Sequence, residues 1–256
     1  FFSLEMSNVQ LVNRLISNVC EIKGEKLKNG QLEPYEWIQL DKQIKRLYDA
    51  PLYVDDTPSL TIFELQTKVR RLVKEHGVKI IMIDYLQLMG AGDSRIGNRQ
   101  EEVATISRAL KQLAKELNIP IIALSQVNRE AGKREGDEGK RPQLTDLRES
   151  GSIEQDADIV CFIHRPEYYH IGGEEMKGKA VIIIAKHRNG AVGDVNLRFR
   201  AIYASFENLG DNIVSSNYND SSIDQMASTD VSQLPPPSFD NDPFDSPNPD
   251  EENSPF

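Results

Sequence analysis

Lys79-Ile-Ile-Met-Ile-Asp84 is an unbroken apolar run that ends in a carboxylate. Unbroken apolarity, in place of alternation, predicts a strand that is covered on both faces, as in a parallel sheet. Two further apolar runs, residues 1–4 and 120–124, end beside Glu5 and Ser125-Gln126. We therefore predict buried parallel strands that each end in a polar side chain.

Apolar residues at helical spacing separate these runs. The pattern predicts helices after Ser7, over 34–47, from Thr61 to Gly77 and over 98–117, with a loop over 21–30 and a short strand over 51–54. Downstream it predicts a helix over 150–155 and strands over 158–163, 180–186 and 192–199. Strands that alternate with helices of this length predict an α/β fold with a doubly wound parallel sheet.

Ligands of such sheets bind at the carboxyl ends of the strands, where Glu5, Asp84 and Gln126 would meet. An aspartate on a rigid strand end suits Mg²⁺ beside nucleotide phosphates. A neighbouring glutamate can orient an attacking water, and a glutamine can hydrogen-bond a γ-phosphate. Taken alone, Asp84 also fits a residue that caps a strand, Glu5 fits a charge at a helix N-terminus, and Gln126 fits a solvated amide.

The charge of the chain is unevenly distributed. The 256 residues include 30 basic and 40 acidic side chains, a net charge of −10, which taken alone argues against phosphate-rich partners. All 30 basic residues lie within residues 1–200, whereas 11 of the acidic residues follow Ala201. The first 200 residues are therefore almost neutral, and the average excludes no class of partner for them.

Several other classes of protein are disfavoured by the composition. Cys20 and Cys161 both lie in apolar runs, which predicts small buried side chains in a reducing compartment and neither a disulfide framework nor a zinc site. No apolar run reaches the ~20 residues of a membrane span. No signal peptide is recognisable, so no membrane association is expected.

Five stretches identify a family. They are, in order, Phe2-Ser-Leu-Glu-Met-Ser7, Ile81-Met-Ile-Asp-Tyr-Leu-Gln87, Ala123-Leu-Ser-Gln-Val-Asn-Arg129, Lys140-Arg-Pro-Gln-Leu-Thr-Asp-Leu-Arg-Glu-Ser-Gly-Ser-Ile-Glu-Gln-Asp-Ala-Asp158 and Ala185-Lys-His-Arg-Asn-Gly190. Together they resemble the C-terminal motor domain of bacterial replicative DNA helicases of the DnaB type, from Phe1 to about Phe206. The resemblance implies a RecA-like P-loop NTPase fold, with a mainly parallel sheet flanked by helices. It also implies ATP-dependent DNA helicase activity with ATP and Mg²⁺.

The resemblance implies roles for individual residues at the strand ends. Glu5 matches the catalytic glutamate that polarises the hydrolytic water. Asp84 matches the aspartate that holds Mg²⁺ through water, and Gln126 matches the residue that couples the phosphate state to the DNA loops.

Three cations are also assigned by the resemblance. Arg14 matches a helix arginine near the nucleotide base. Lys186 and Arg188 match a pair that projects into the ATP site of the neighbouring subunit, where an arginine stabilises the charge that develops on the transferred phosphoryl group. A solvated surface charge is the alternative interpretation of each.

The expected DNA contacts lie in one short segment. Arg148, Glu149 and Gly151 match the central-channel loop that holds single-stranded DNA. A cation there suits a phosphate, and a glycine lets a backbone N–H approach closely. The segment 129–141 carries both signs of charge and is predicted to be a mobile surface loop.

The resemblance further implies a homo-hexamer in the bacterial cytoplasm, at the replisome. Primase and a helicase loader are the expected partners, and translocation is expected to run 5′ to 3′. A RecA-type or circadian-type ATPase of the same superfamily is an alternative, which the stretch 148–156 disfavours.

No phosphate-binding motif of the form G-x-x-x-x-G-K-[ST] occurs in the chain. The family carries that loop upstream of the strand that precedes its catalytic glutamate. We therefore expect a chain that is truncated at its N-terminus, lacks the first strand and loop, and is inactive alone. A catalytically dead remnant that binds DNA or helicase subunits without turnover is the alternative.

The composition changes from about Asp211, where Pro, Ser, Asn and Asp predominate. Such a segment buries too little apolar surface to offset its ordering entropy, which predicts a motor domain over 1–210 and a disordered acidic tail over 211–256. The tail contains Asp242-Pro-Phe244 and ends in Ser254-Pro-Phe256. This terminus resembles the tip of bacterial single-stranded-DNA-binding proteins, which docks on replication proteins. A purely solubilising tail is the alternative.

Overall fold

A computed structural model describes residues 1–92, 98–128, 132–136 and 139–209, without the side chains of 148–150. Six α-helices lie in these ranges: α1 Asn8–Cys20, α2 Gly24–Asn29, α3 Pro34–Tyr48, α4 Ile62–His76, α5 Arg99–Leu117 and α6 Gly151–Asp156. Seven strands accompany them: β1 Phe2–Ser3, β2 Ile81–Asp84, β3 Ile121–Ala123, β4 Ile159–His164, β5 Lys179–His187, β6 Gly193–Arg200 and β7 Ser205–Asn208.

The N-terminal strands form the parallel sheet that the sequence predicts. The strand order is β1-β2-β3, with Ser3 opposite Asp84 and Ile83 opposite Ala123. Parallel neighbours need a long crossover, and the segments between these strands contain α1 to α4 and α5. The predicted α/β fold with a parallel sheet and flanking helices is confirmed.

The C-terminal strands correct the expectation of a mainly parallel sheet. Strands β4 to β7 form a separate four-stranded sheet in sequential order, and all three pairings are antiparallel. No α-helix lies between β4 and β7, and the β5–β6 and β6–β7 links are too short for the crossover that a parallel pairing needs. Strand β7 was not predicted from the sequence.

The core of the parallel sheet lies on one face. Ile81 and Ile83 pack with Leu65 of α4 and Leu113 of α5, and all four side chains are at most 1% exposed. The opposite face stays accessible, with Met82 38% exposed. The expectation that these strands are covered on both faces is therefore wrong for the part of the chain that the structure describes, since α4 and α5 pack against the same face.

Local signals fix most of the helix ends. Ser7 and Gln10 form a reciprocal capping box at α1, and Thr61 and Glu64 form the predicted one at α4. Gly77 ends α4 with a φ of +64°, a left-handed conformation in which glycine has no Cβ penalty.

Three local predictions are wrong. The segment 21–30 is not wholly a loop, because Gly24–Asn29 is helical and ends at Gly30 with a φ of +65°. Residues 51–54 form no strand; only an isolated bridge joins Asp55 to Phe2. Cys161 is exposed because it lies on the solvent-facing side of β4, whose burial alternates along the strand.

Some predictions lie outside the described residues. These are the tail over 211–256, part of the loop 129–141 and the side chains of Arg148 and Glu149. Among the residues that the structure covers, no helix has the length and apolarity that a membrane crossing requires.

Candidate functional site

The parallel register brings Glu5 and Asp84 to one edge of the sheet. Ser3 lies opposite Asp84, and the backbone N–H of Leu4 donates to the Asp84 carbonyl at 2.8 Å. Glu5 is the next residue along the chain, and its side chain is exposed. The two carboxylates therefore lie at the carboxyl ends of adjacent strands, as the sequence predicts.

The turn that carries Glu5 is fixed on both sides. Ser3 Oγ donates to the Met6 carbonyl at 2.7 Å, and Ser7 caps α1. The backbone N–H of Asn8 donates to the carboxylate of Asp56 at 2.8 Å. These bonds hold the backbone of the turn and leave the Glu5 carboxylate to solvent.

The charges of Arg14 and Glu5 both shift the pKa of Asp84. Burial raises the pKa of Asp84, the negative charge of Glu5 raises it further, and the positive charge of Arg14 on α1 lowers it. Glu5 and Arg14 thus both act on the titration of Asp84. A divalent cation would offset the unfavourable negative charge that the raised pKa reports.

The donor set at this edge fits Mg²⁺ on chemical grounds. Mg²⁺ prefers hard oxygen ligands and is commonly held by one or two carboxylates, with waters and substrate phosphates completing its coordination. Asp84 supplies one such carboxylate, and Glu5 lies at the end of the adjacent strand. No cluster of three or more His, Cys, Asp or Glu side chains suited to a metal occurs among the described residues. The described side chains alone would therefore not complete the coordination of a metal ion at this edge.

Gln87 links the ends of β2 and β3. Its Nε2 donates to Ser125 Oγ at 2.8 Å, and its Oε1 accepts the backbone N–H of Gln126 at 3.2 Å. The backbone N–H of Leu86 also donates to the carbonyl of Leu124 at 2.9 Å. Gln126 is therefore held at the same edge as Asp84 through its backbone, while its side chain is exposed.

Lys186 and Arg188 lie at the end of β5, in the antiparallel sheet. Lys186 Nζ donates to the carbonyls of Glu154 and Gln155 in the last turn of α6. Arg188 forms an ion pair with Asp158 at 2.8 Å. Within the described residues, no hydrogen bond or ion pair joins these two cations to Glu5 or Asp84.

Gly151 is the one residue of the predicted DNA segment whose surroundings are described. It begins α6 with φ −53° and ψ −21°, which any residue adopts. Among the described residues, no atom beyond its chain neighbours and its own helix backbone lies within 4 Å of the position that a Cβ would take. Within that part of the chain, neither backbone strain nor packing therefore requires a glycine here.

Sequence reasoning missed two residues that organise these groups. Gln87 and Asp158 are the last residues of two of the five family stretches, 81–87 and 140–158. Membership of those stretches was the sequence signal that could have indicated them. Their partners Gln126 and Arg188 are 39 and 30 positions further along, so no local pattern could pair them. A separate cleft of about 300 Å³, lined by Cys20, Gln39 and other residues of α1 and α3, contains no predicted site residue.

Comparison with known proteins identifies a family. Residues 1–208 match the DnaB-like helicase C-terminal domain family. The chain is 49% identical over 209 residues to the replicative DNA helicase DnaB of Geobacillus stearothermophilus, covering 81% of this chain and 45% of that protein. It is 45% identical to the DnaB of Rickettsia prowazekii, covering 82% of this chain and 46% of the relative. The chain thus spans less than half the length of these relatives.

Solved structures give the same result. A DnaB-like replicative helicase, in a structure that describes its interactions with primase, is 36% identical and superposes with a TM-score of 0.75, covering 81% of this chain and 49% of that one. A solved ATPase domain gives the same identity and TM-score and is covered over 73% of its length. These neighbours confirm the RecA-like fold, and the chain belongs to the DnaB-like helicase C-terminal domain family.

Proposed function

We propose that this chain is the ATP-hydrolysing motor of a replicative DNA helicase, which translocates on single-stranded DNA and unwinds the duplex at the fork. The observation that carries the proposal is the placement of Glu5 and Asp84 at the ends of adjacent parallel strands. In an open α/β sheet this edge binds ligands. A carboxylate pair there provides one group for a cation and one for a water.

The roles of the two carboxylates follow from their surroundings. Asp84 is half-buried, with its pKa raised, and suits a cation that neutralises it. Glu5 is exposed and suits a water that attacks the γ-phosphate. Bound Mg²⁺ would neutralise the charge that develops on the phosphates. Arg14 supplies a cation to the same cluster, near the nucleotide.

Nucleotide hydrolysis at subunit interfaces accounts for the position of Lys186 and Arg188. They lie at the end of β5 and form their described contacts with residues 154–158. In a homo-hexamer they would reach the nucleotide of the adjacent subunit, where a cation stabilises the transferred phosphoryl group. The chain contains no G-x-x-x-x-G-K-[ST] motif, so the proposal requires that a phosphate-binding loop be supplied from outside these 256 residues.

Gly151 supports a DNA contact beside Arg148 and Glu149. No described side chain fills the space in front of its Cα, and helix propensity favours alanine at such a position. Close approach of a phosphate to the backbone N–H gives a physical reason for glycine. Contacts to the sugar-phosphate backbone of the DNA suit a motor, because they do not depend on base sequence.

The wider setting of the proposal follows from the relatives. One solved neighbour is described with primase, and we propose primase and a loader as partners. We also propose action at the bacterial cytoplasmic replication fork, with 5′ to 3′ translocation. The role of the segment 211–256 stays a prediction.

The proposal is tested by strand displacement on a forked DNA substrate with ATP and Mg²⁺, using the full-length gene product. We expect the Gly151→Ala variant to bind single-stranded DNA about ten-fold more weakly, since a single lost charge-assisted hydrogen bond costs ~1.5 kcal/mol. Its unwinding rate should fall in parallel, while its melting temperature stays the same or rises slightly.

Gly193→Ala is the matched control, because its Cβ position too has no atom within 4 Å among the residues that the structure describes. This control should bind and unwind DNA as the wild type does. Equal DNA affinity for Gly151→Ala and the wild type would contradict the proposed contact. Absence of ATP-dependent unwinding by the wild type would favour the non-catalytic alternative.

A further inference from the structure

Asp158 joins three elements of the motor domain. It lies between α6 and β4, with its side chain 52% exposed. One carboxylate oxygen, Oδ1, pairs with Nη1 of Arg188 at 2.8 Å. The other, Oδ2, pairs with Nζ of Lys111 on α5. Each oxygen of one carboxylate thus holds a different cation.

The backbone reinforces the contact between Asp158 and Arg188. The N–H of Arg188 donates to the Asp158 carbonyl at 2.8 Å, and the next residue, Ile159, lies opposite His187 in the β4–β5 register. Arg188 is therefore tied to Asp158 through its main chain and its side chain. Two such points restrict the side-chain rotamers that Arg188 can adopt.

Lys186 is held by the same segment. Its Nζ donates to the carbonyl of Gln155 at 3.4 Å and to that of Glu154. Carbonyl groups at the end of a helix have no intrahelical partner, and a cation there is favourable. Residues 154–158 thus hold both cations that we propose to act on the neighbouring nucleotide.

The ion pair leaves most of the Arg188 guanidinium available. A guanidinium carries five N–H donors, and its closest contact with Asp158 is through Nη1. The Arg188 side chain is 49% exposed. Asp158 can therefore orient the Arg188 guanidinium from one side, while the exposed side of the guanidinium reaches a phosphate.

The charge of Asp158 persists at neutral pH. The hydrogen bond from Lys111 is the largest cause that lowers its pKa, and the positive charges of Arg188 and Lys186 lower it further against burial. The carboxylate therefore remains the anionic partner of Arg188 under the conditions in which a helicase would act.

We propose that Asp158 is a positioning residue that orients Arg188 toward the nucleotide of the neighbouring subunit. The inference rests on the proposed function of Arg188. Because α6 begins at Gly151 and ends two residues before Asp158, the same contacts connect the nucleotide-facing cations to the proposed DNA segment of their own chain.

The test is steady-state ATP hydrolysis by the full-length gene product carrying Asp158→Asn, with Mg²⁺ and saturating single-stranded DNA. We expect kcat to fall about ten- to a hundred-fold, since misplacing a catalytic group costs up to ~10²-fold. The KM for ATP should stay within about two-fold, because Arg188 would act on charge that develops only in the transition state. Because a partly unfolded preparation would also lower the apparent kcat at constant KM, kcat is taken per folded enzyme, with circular dichroism of the variant matched to that of the wild type.

Two control variants isolate the Arg188 contact. Lys111→Met removes the other partner of Asp158 and should leave kcat within about two-fold. Asp194→Asn removes the carboxylate from the exposed ion pair with Arg141 and should leave both constants unchanged. An unchanged kcat for Asp158→Asn, or a rise in KM that accounts for its whole loss of kcat/KM, would overturn the proposal.

Failure of the Asp158 proposal can be distinguished from failure of the proposed function. If the wild type hydrolyses no ATP, the proposed function fails before Asp158 is tested. If Asp158→Asn does not assemble, Asp158→Glu decides, because it keeps the charge and lengthens the side chain by one methylene. A lower kcat at constant KM supports positioning, whereas a wild-type kcat for Asp158→Glu overturns it.

Discussion

At the residue scale, the Asp84 carboxylate lies where the folded chain disfavours its charge. Burial and the negative charge of Glu5 raise its pKa, against the opposing charge of Arg14. The folded state therefore binds a proton at Asp84 more tightly than the unfolded state does. Ionisation of Asp84 therefore lowers the free energy of unfolding as the pH rises from the ordinary Asp value of 3.8 through the raised pKa of the folded state.

Asp84→Asn should accordingly raise stability and abolish ATP hydrolysis. At pH 7 we expect the melting temperature of the 256-residue chain to rise by about 1–2 °C, because the disfavoured charge is removed. The gain should vanish below about pH 3.8, the ordinary value for Asp, where Asp84 is neutral in both states. A lower melting temperature at pH 7 would show that the Asp84 charge stabilises the fold.

At the element scale, a buried ion pair ties the segment 132–136 to the 3-10 helix Leu144–Ser150. Arg134 pairs with Asp146, whose side chain is 4% exposed, and the same carboxylate accepts the Gln143 N–H at 2.7 Å. Leu147, the next residue, packs into the core under β4 and β5. The segment that precedes the proposed DNA contacts is therefore anchored from two sides.

Arg134→Met should destabilise the chain by about 2 kcal/mol in urea unfolding. Breaking a fully buried pair costs ~3–5 kcal/mol, and we discount this because the Arg134 side chain is 33% exposed. Arg141→Met breaks the more exposed pair with Asp194 and should cost less than about 1 kcal/mol. Equal losses for the two variants would contradict the anchoring role of Asp146.

Sequence patterns predicted the elements that depend on local chemistry. The capping box at Thr61, the helix end at Gly77 and the parallel strand that ends at Asp84 all follow from short-range signals. The antiparallel pairing of β4 to β7 did not, because strand direction depends on connections and partners far along the chain. Glu5 and Asp84 were placed at one edge by fold class, whereas the Asp158–Arg188 pair needed coordinates.

At the scale of the whole molecule, the parallel sheet exposes one apolar face. Met82 and Ile122 are register partners and are 38% and 47% exposed, and Leu124 is 45% exposed. Contiguous exposed apolar surface of this kind promotes association. Ile83, on the opposite face of the same strand, is 0% exposed.

The Met82→Ser and Ile122→Ser double variant should reduce the binding of a hydrophobic dye to the 256-residue chain. Its far-ultraviolet circular dichroism should stay unchanged, because neither side chain contributes to the core. Ile83→Ser is the control that should unfold the chain, since truncating a buried aliphatic side chain costs ~2–5 kcal/mol. Unfolding of the double variant would show that this face is covered in solution.

The most direct test of the account is the kcat for ATP hydrolysis of the full-length gene product with Glu5→Gln. We predict a loss of about a hundred-fold or more, because a positioned general base contributes ~10²–10⁴-fold, with ATP binding retained. Glu101→Gln, at an exposed glutamate in the first turn of α5, should hydrolyse ATP at the wild-type rate. A Glu5→Gln variant with the wild-type kcat would contradict the assignment of this sheet edge as the hydrolytic site.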